Sequence, residues 1–533
     1  MVERSSRVQK TSTARPGRPR SASKPRGSAL KKKTRSSAKG NVNSKASSSS
    51  VSTEFVYEFG GPAGALLTAI SLPLVCYMFA TMCNADGCTA VGVLGGLHDM
   101  LNDLITDPAK KLVALGAAFA ETWTVGGFTA IFGWFLFQVL LERGLPGPSG
   151  KGTVLKGGKA NRRLIYELNG HRAFWFSLGF LLIWQLVSIC RDAKGGFRGM
   201  VSGAEEGAGG ICIGINLVFD TMLPREHVNI PSLSWLFSHF TELLTASLVL
   251  SSVMSVALYV ASLRLPAGHA DVAPGGDSGV AVYDFFMGRE LNPRPLAGTT
   301  FDLKYFCELR PGLIGWCALN LGMLCNQVET TGAASGSMVL VNVFQLVYVW
   351  DALYNEKAIL TTMDITTDGF GFMLCFGDLT WVPFTYSLQS RYLAFFDPGL
   401  SSVTLCIILA AKIAGYRAFR GSNGEKDAFR TDPKASRCAH LETITTKTGR
   451  KLLVSGWWGM ARKINYTADW TMALSWCAVC GTGSIIPYFY AIYFAILLIH
   501  RAMRDDHACH EKYGDDWDRY KKRVPYVFIP GLI

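Results

Sequence analysis

The chain reads as an all-α, polytopic membrane protein with about ten transmembrane helices, preceded by a disordered basic N-terminal tail. Three observations predict this. Of 533 residues, 49% are hydrophobic and only 17% are charged, and the mean hydropathy is +0.21; a soluble enzyme carries about 25% charged residues. Several apolar runs reach the roughly 20 residues that cross a hydrocarbon core. The charge is also segregated: residues 1–50 hold 14 Lys and Arg against one Glu, and the remaining 483 residues hold 39 basic and 39 acidic side chains. The whole net charge of +13 therefore belongs to the tail.

Residues 1–53 are built from Ser, Lys, Arg, Pro, Gly and Ala, with almost nothing to bury, which is the composition of a disordered segment. The run Arg15–Gly27, followed by Lys31, Lys32 and Lys33, is a polycation. Its Gly17-Arg18-Pro19 core resembles the short AT-hook arm that enters the minor groove of DNA, and a flexible polycation gains affinity for phosphate by counterion release. The other readings are a topology signal, a patch for anionic lipid, or contact with chromatin or the lamina. The neighbouring serines would let phosphorylation weaken such contacts. The positive-inside rule puts the tail on the cytoplasmic or nucleoplasmic side, and an even number of spans returns the C-terminus there.

Residues 54–533 read as one transmembrane domain, with spans near 63–82, 112–141, 173–190, 233–262, 312–328, 336–353, 370–388 and 400–416, and one or two more between 471 and 499. The 14 cysteines form no framework: Cys317, Cys325, Cys375, Cys406, Cys477 and Cys480 lie in apolar runs. Cys83 and Cys88 can pair if their loop faces an oxidising lumen.

Polar residues inside lipid are costly and mark function or internal satisfaction. Gln345, Tyr348, Asp351 and Asn355 recur at steps of three and four, so they line one face of a helix and turn it toward a bundle interior. No Gly-x-Gly-x-x-Gly, Walker A, HExxH or GxSxG pattern is present, which excludes the common soluble nucleotide and hydrolase sites. The remaining candidate is a pocket at about 420–533. Lys426 and Arg430 are four apart and present two cations on one helix face, suited to phosphate. Trp457, Trp458, Arg462, Lys463, Asn465, Tyr466 and Asp469 add the aromatic plates, cations and amide that a nucleotide's rings and phosphates need. His500–Tyr520 packs further cations and aromatics directly behind the apolar run IIPYFYAIYFAILLI. His507, Cys509 and His510 fit no four-ligand zinc spacing, so no metal is expected.

Two segments then carry a resemblance. GVAVYDFFMGRELNPR (Gly279–Arg294) and LIHRAMRDDHACHEKYGDDWDRY (Leu498–Tyr520) look like the signature segments of the sterol reductases that act on ring double bonds, a group that includes the lamin B receptor. The likeness covers about Glu54–Ile533. FDLKYFCELRPGLIGW (Phe301–Trp316), LTTMDI (Leu360–Ile365) and DGFGFMLCFGDLTWVPF (Asp368–Phe384) resemble the delta-14-sterol reductases and lamin B receptor more than the 7-dehydrocholesterol reductases. The resemblance implies a ten-helix enzyme of the endoplasmic reticulum or inner nuclear membrane that reduces the double bond between sterol carbons 14 and 15 with NADPH. By motif match, cofactor contacts fall on Lys426, Arg430, Leu453, Trp458, Asn465, Tyr466, Arg501, Asp505, Cys509, Lys512, Tyr513 and Tyr520. Protonating an isolated alkene needs an acid, and the polar stripe offers Tyr348 as donor, with Asp351 and Glu356 orienting it or stabilising the cation. The chain departs from the family pattern at Lys463, Ile464, Ala468, Lys521 and Val527. The alternative is a catalytically silent nuclear-membrane protein that tethers chromatin or lamina through its tail.

Overall fold

A computed structural model describes residues 55–154, 163–192, 230–296 and 298–532. The basic tail, with its Gly17-Arg18-Pro19 arm, lies outside the described residues. Residues from Phe55 onward form one compact, mainly helical unit.

Helix α1 (Gly61–Met82) is followed by a disulfide joining Cys83 to Cys88, the pairing that the sequence left open. Helices α2 (Ala90–Thr106) and α3 (Pro108–Glu121) are short and amphipathic, capped by the side chains of Thr89 and Asp107. Helix α4 (Val125–Gly144) starts afresh at Thr124, whose hydroxyl accepts from the Gly127 N–H and donates to Glu242 at 2.7 Å. The single span expected over 112–141 is therefore two helices. Apolar composition runs across the break, and the hydroxyl cap that makes it carries little weight in a hydropathy pattern.

A small antiparallel ladder, Ser149–Val154 with Arg163–Glu167, leads into α5 (Gly170–Asp192). Cys190, near its end, is also disulfide-bonded. Then come α6 (Phe240–Ser262), the short α7 (Leu303–Leu309), α8 (Pro311–Thr331) and α9 (Gly336–Tyr354).

The next crossing, expected as one helix over 370–388, is segmented: Phe372–Phe376, a π-turn at Gly377–Trp381, then Val382–Thr385 and Leu388–Phe395. Pro383 explains the break, since it offers no N–H to the carbonyl of Leu379 four residues back. The hydroxyl of Ser247 on α6 donates to that carbonyl at 2.7 Å, satisfying it inside the membrane.

Helix α10 (Ser402–Thr431) is 30 residues long, well beyond the predicted 400–416. After a second small ladder, Thr443–Thr445 with Lys451–Leu453, come α11 (Ile464–Ala478), α12 (Phe489–Tyr513) and α13 (Asp515–Arg523). Among the described residues seven helices are long and apolar enough to span a membrane. Helix α8, the segmented Phe372–Phe395 path and α11 supply the further crossings that bring the number near ten. Counting alternate crossings, both disulfide-bonded segments lie on the side opposite the C-terminal halves of α10 and α12.

Small residues let the site-bearing helices approach closely, as lipid-embedded packing requires. A Cβ on Gly415 of α10 would stand 3.0 Å from the Ala468 carbonyl of α11, so any larger residue pushes the two helices apart. Trp476 of α11 is fully buried beside them.

Candidate cofactor pocket and inner aromatic cage

The first signature segment is scaffolding. Arg289 pairs with Asp277 at 2.9 Å and donates to the carbonyls of Ser262 and Leu265, while Asp284 accepts from the N–H groups of Ser278 and Gly279. Gly288, at φ +88°, lies against the backbone of Gly369–Gly371, where a Cβ would come within 2.2 Å of the Gly371 nitrogen. Lys304 of α7 is fully buried and donates to the carbonyls of Asp364, Ile365 and Asp368, pinning the loop that follows α9. Burial pulls its ammonium below the usual lysine range, against the neighbouring carboxylates led by Asp302. The pinned loop presents Asp364 to Arg501 of α12, 3.6 Å away. Arg504, one turn further, meets Glu58 at 2.7 Å, and Glu58 donates its own N–H to the Tyr283 hydroxyl. The two signature segments are thus joined through the start of the domain.

The outer part of the pocket forms where α10, the second ladder, α11 and α12 meet. Lys426 places its Nζ 3.9 Å from the centre of the Trp458 ring, and Trp458 Nε1 donates to the Ser422 carbonyl at 2.8 Å. Asp505 of α12 accepts from Lys463 and, at 3.2 Å, from the Tyr466 hydroxyl. Lys463 also lies 5.2 Å over the Tyr466 ring. Asn465 holds Asn423 through its amide nitrogen at 3.4 Å, and its buried Oδ1 has no partner. Arg430 and Lys512 are exposed at the rim. Cys509 and Tyr513 pack on the buried cluster of Trp517, Tyr520 and Val524, behind the second ladder with its buried Leu453. Burial pushes the Tyr520 hydroxyl up to about 12, against the nearby Arg462. Aromatic faces, an unsatisfied amide oxygen and a ring of cations at one mouth suit a nucleotide carrying several phosphate charges. His507 and His510 stand on the surface beside Glu511 and Asp518.

The inner part lies at membrane depth around Tyr348. Trp316 and Trp476 meet its ring edge-on, the latter at 5.3 Å, and Tyr386 and Tyr490 extend the cluster by packing on those two indoles and, at 4.6 Å, on each other. Such a cage can stabilise a developing cation through its π-faces. The Tyr348 hydroxyl faces Asp469 of α11, whose Oδ1 has no hydrogen-bond partner. Lys412 of α10 stands 4.4 Å over Trp476 and 5.8 Å over Tyr348, and its Nζ also has none. Asp351 is paired with Arg420 and accepts from the Tyr416 hydroxyl at 2.8 Å.

The structure separates the remaining sequence candidates. Gln345 is an architectural link, accepting from Trp316 at 2.9 Å and Asn320 at 2.6 Å and donating to Gln389 at 3.0 Å. Glu356 lies apart from Tyr348: its carboxylate accepts from the Gly170 N–H at 3.0 Å, beside Arg310 and Tyr305. Burial pushes that carboxyl up to about 7, more than Arg310 and the Gly170 N–H pull it down. Sequence reasoning passed over Lys412, Tyr416 and Arg420. The signal was a lysine inside the apolar run VTLCIILAAKIAGY, with polar residues recurring every fourth position after it. A separate apolar cavity of about 620 Å³ is walled by Trp134, Phe137, Trp184, Trp235, Leu319 and Phe384, and Tyr348 is not among its lining residues.

A basic, aromatic-lined mouth, joined along α10 to an aromatic cage at membrane depth, defines a multi-pass membrane enzyme that works on a lipid-soluble molecule. The chain belongs to the ergosterol biosynthesis ERG4/ERG24 family, whose model matches residues 53–193 and 212–533. It is 40% identical over 480 residues to "Delta(14)-sterol reductase erg24" of Schizosaccharomyces pombe, covering 90% of this chain and 97% of that protein. It is 42% identical over 476 residues to "Delta(14)-sterol reductase TM7SF2" of Mus musculus, covering 89% and 97%. With "Delta(14)-sterol reductase LBR" of Gallus gallus it shares 40% over 479 residues, which is 89% of this chain and 63% of that longer protein.

Proposed function

We propose that the protein reduces the double bond between sterol carbons 14 and 15 using NADPH, in the endoplasmic reticulum or inner nuclear membrane. The observation that carries this is the continuity of one helix, α10, from the cations at the mouth (Lys426, Arg430) to the aromatic cage around Tyr348. The printed activity of relatives that align over nearly the whole chain supports it.

Lys426, Arg430, Lys463, Arg501 and Lys512 would hold the phosphates, and Trp458, Tyr466 and Asn465 the rings. When bound, the cofactor supplies hydride. The protein's own part is the proton. Tyr348 gives its hydroxyl proton to carbon 15, and Trp316, Trp476, Tyr386 and Tyr490 shelter the cation left at carbon 14 from water while their faces stabilise it. Asp351, already held by Arg420 and Tyr416, keeps α9 and α10 in register rather than acting on substrate. Lys463 and Asp505 form a pair at the mouth, so the departure at position 463 still places a cation beside the phosphates.

The test is expression of the full chain in cells lacking delta-14-sterol reductase, followed by a sterol profile. Disappearance of the accumulated delta-14 sterols is expected. Their persistence beside abundant, membrane-inserted protein refutes the reading. A second role, chromatin or lamina contact through residues 1–50, is favoured by the confinement of the entire net charge to that tail.

A further inference from the structure

Lys412 is the only ionisable side chain other than Cys406 between Ser402 and Gly415. The residue is 5% exposed, yet among the described residues its Nζ has no hydrogen-bond partner and lies over the faces of Phe344, Tyr348 and Trp476. Asp469 is the opposing charge that acts on it most strongly, ahead of Asp351, and the Oδ1 of Asp469 is equally unpartnered. A buried ion pair kept for stability closes and satisfies its hydrogen bonds, because an open one costs several kcal/mol. This pair stays open: the Lys412 Nζ rests on ring faces, and Asp469 faces the Tyr348 hydroxyl.

Lys412 also begins a stripe. Tyr416, Arg420, Asn423, Lys426 and Arg430 follow it at steps of three and four, so one face of α10 is polar from the cage to the mouth. Asp351 closes on Tyr416 and Arg420 halfway along.

We propose that Lys412 and Asp469 are a relay that returns a proton to Tyr348 after each turnover, fed along this stripe from water at the cytosolic mouth. The inference rests on the reductase reading and adds to it a role for residues that do not touch the sterol. In the chemical step the Tyr348 O–H bond breaks as the alkene's electron pair forms the new C–H bond at carbon 15. A reduced pyridine nucleotide, when bound, would supply the hydride pair that quenches the cation at carbon 14. The Tyr348 phenolate then takes a proton from the Asp469 carboxyl, Asp469 takes one from the Lys412 ammonium, and Lys412 regains one from water. Each turnover consumes one hydride and one solvent proton. Lys412 is a positioning and relay residue, with Tyr416, Asp351 and Arg420 the titratable and charged groups nearest its route.

The test separates the first turnover from later ones in purified full-length protein, with excess NADPH and sterol. The parent should show similar first-turnover and steady-state rates. Lys412→Met should keep NADPH affinity and a first turnover within about threefold of the parent, while its steady-state rate falls by at least about tenfold, within the range seen when proton transfer is impaired. Lys412→Arg, which retains a cation, should recover most of the steady-state rate. An equal fall in both phases, or no fall in either, overturns the relay. If Lys412→Met does not bind NADPH, Lys412→Arg decides alone: a first turnover followed by turnover at parent speed supports the relay, and loss of both overturns it. A parent that binds NADPH but gives no first turnover overturns the reductase reading instead, and the relay with it.

Discussion

Replacing Glu356 by Gln should make the fold more resistant to alkaline pH. The carboxylate is 4% exposed, accepts from the Gly170 N–H, and sits beside Arg310, whose three guanidinium nitrogens are buried without a partner. Burial raises the carboxyl from 4.5 to about 7 despite that arginine, so the folded state prefers it protonated. Its folded value lies above its unfolded one. The stabilisation is therefore complete below about pH 4.5 and is lost as pH rises through about 7. The gap corresponds to about 3 kcal/mol at full ionisation. Gln keeps the shape and the acceptor but cannot ionise. Thermal unfolding of detergent-solubilised protein from pH 4.5 to 8.5 should find parent and Glu356→Gln alike at the acid end. At the alkaline end the variant should unfold several degrees higher. Asp302, Glu290 and Asp368 are also raised by burial and tilt the parent's profile the same way, so the difference between the two proteins is the quantity to read. Parallel profiles, or a parent that gains on the variant as pH rises, would show that Arg310 outweighs burial and refute the reasoning.

Arg501→Gln should weaken NADPH binding by about 10- to 100-fold, the loss of one charge-assisted phosphate contact, and leave sterol affinity within about twofold; calorimetry showing equal NADPH affinity would remove Arg501 from the pocket. A peptide of residues 1–50 should bind duplex DNA with an affinity that falls steeply and linearly on a log–log plot against salt, and flat or absent binding would count against the tail reading.

The outer pocket was legible because its chemistry is written in local clusters: Lys426 with Arg430, Trp458 with Tyr466, and the charged run behind the last apolar segment. Such clusters keep their meaning whatever the helices do. The inner site was only half legible. The period of Gln345, Tyr348 and Asp351 gave the correct face of α9, but spacing cannot say that Gln345 ties helices together or that Asp351 is already held by Arg420. Glu356 follows the same stripe in sequence, yet α9 ends at Tyr354 and the next turn carries it toward α5. Lys412 and Asp469 come to the same cage because Gly415 lets α10 and α11 close together, a long-range approach that no local pattern records. The breaks at Thr124 and Pro383 were missed for a related reason, since a single hydroxyl cap and a single missing N–H carry little weight in a hydropathy pattern.

The length of α10 has a consequence beyond the residues it carries. Thirty residues at about 1.5 Å each make a rod of about 45 Å, against a hydrocarbon core of about 30 Å. Its last third must project from the bilayer as a rigid post. The distance from the cationic mouth to the aromatic cage is then set by a ruler internal to the protein, independent of local membrane thickness. One residue added between Tyr416 and Lys426 would swing the far end by about 100° and lift it by about 1.5 Å, so the two chemistries would lose alignment while each half stayed intact.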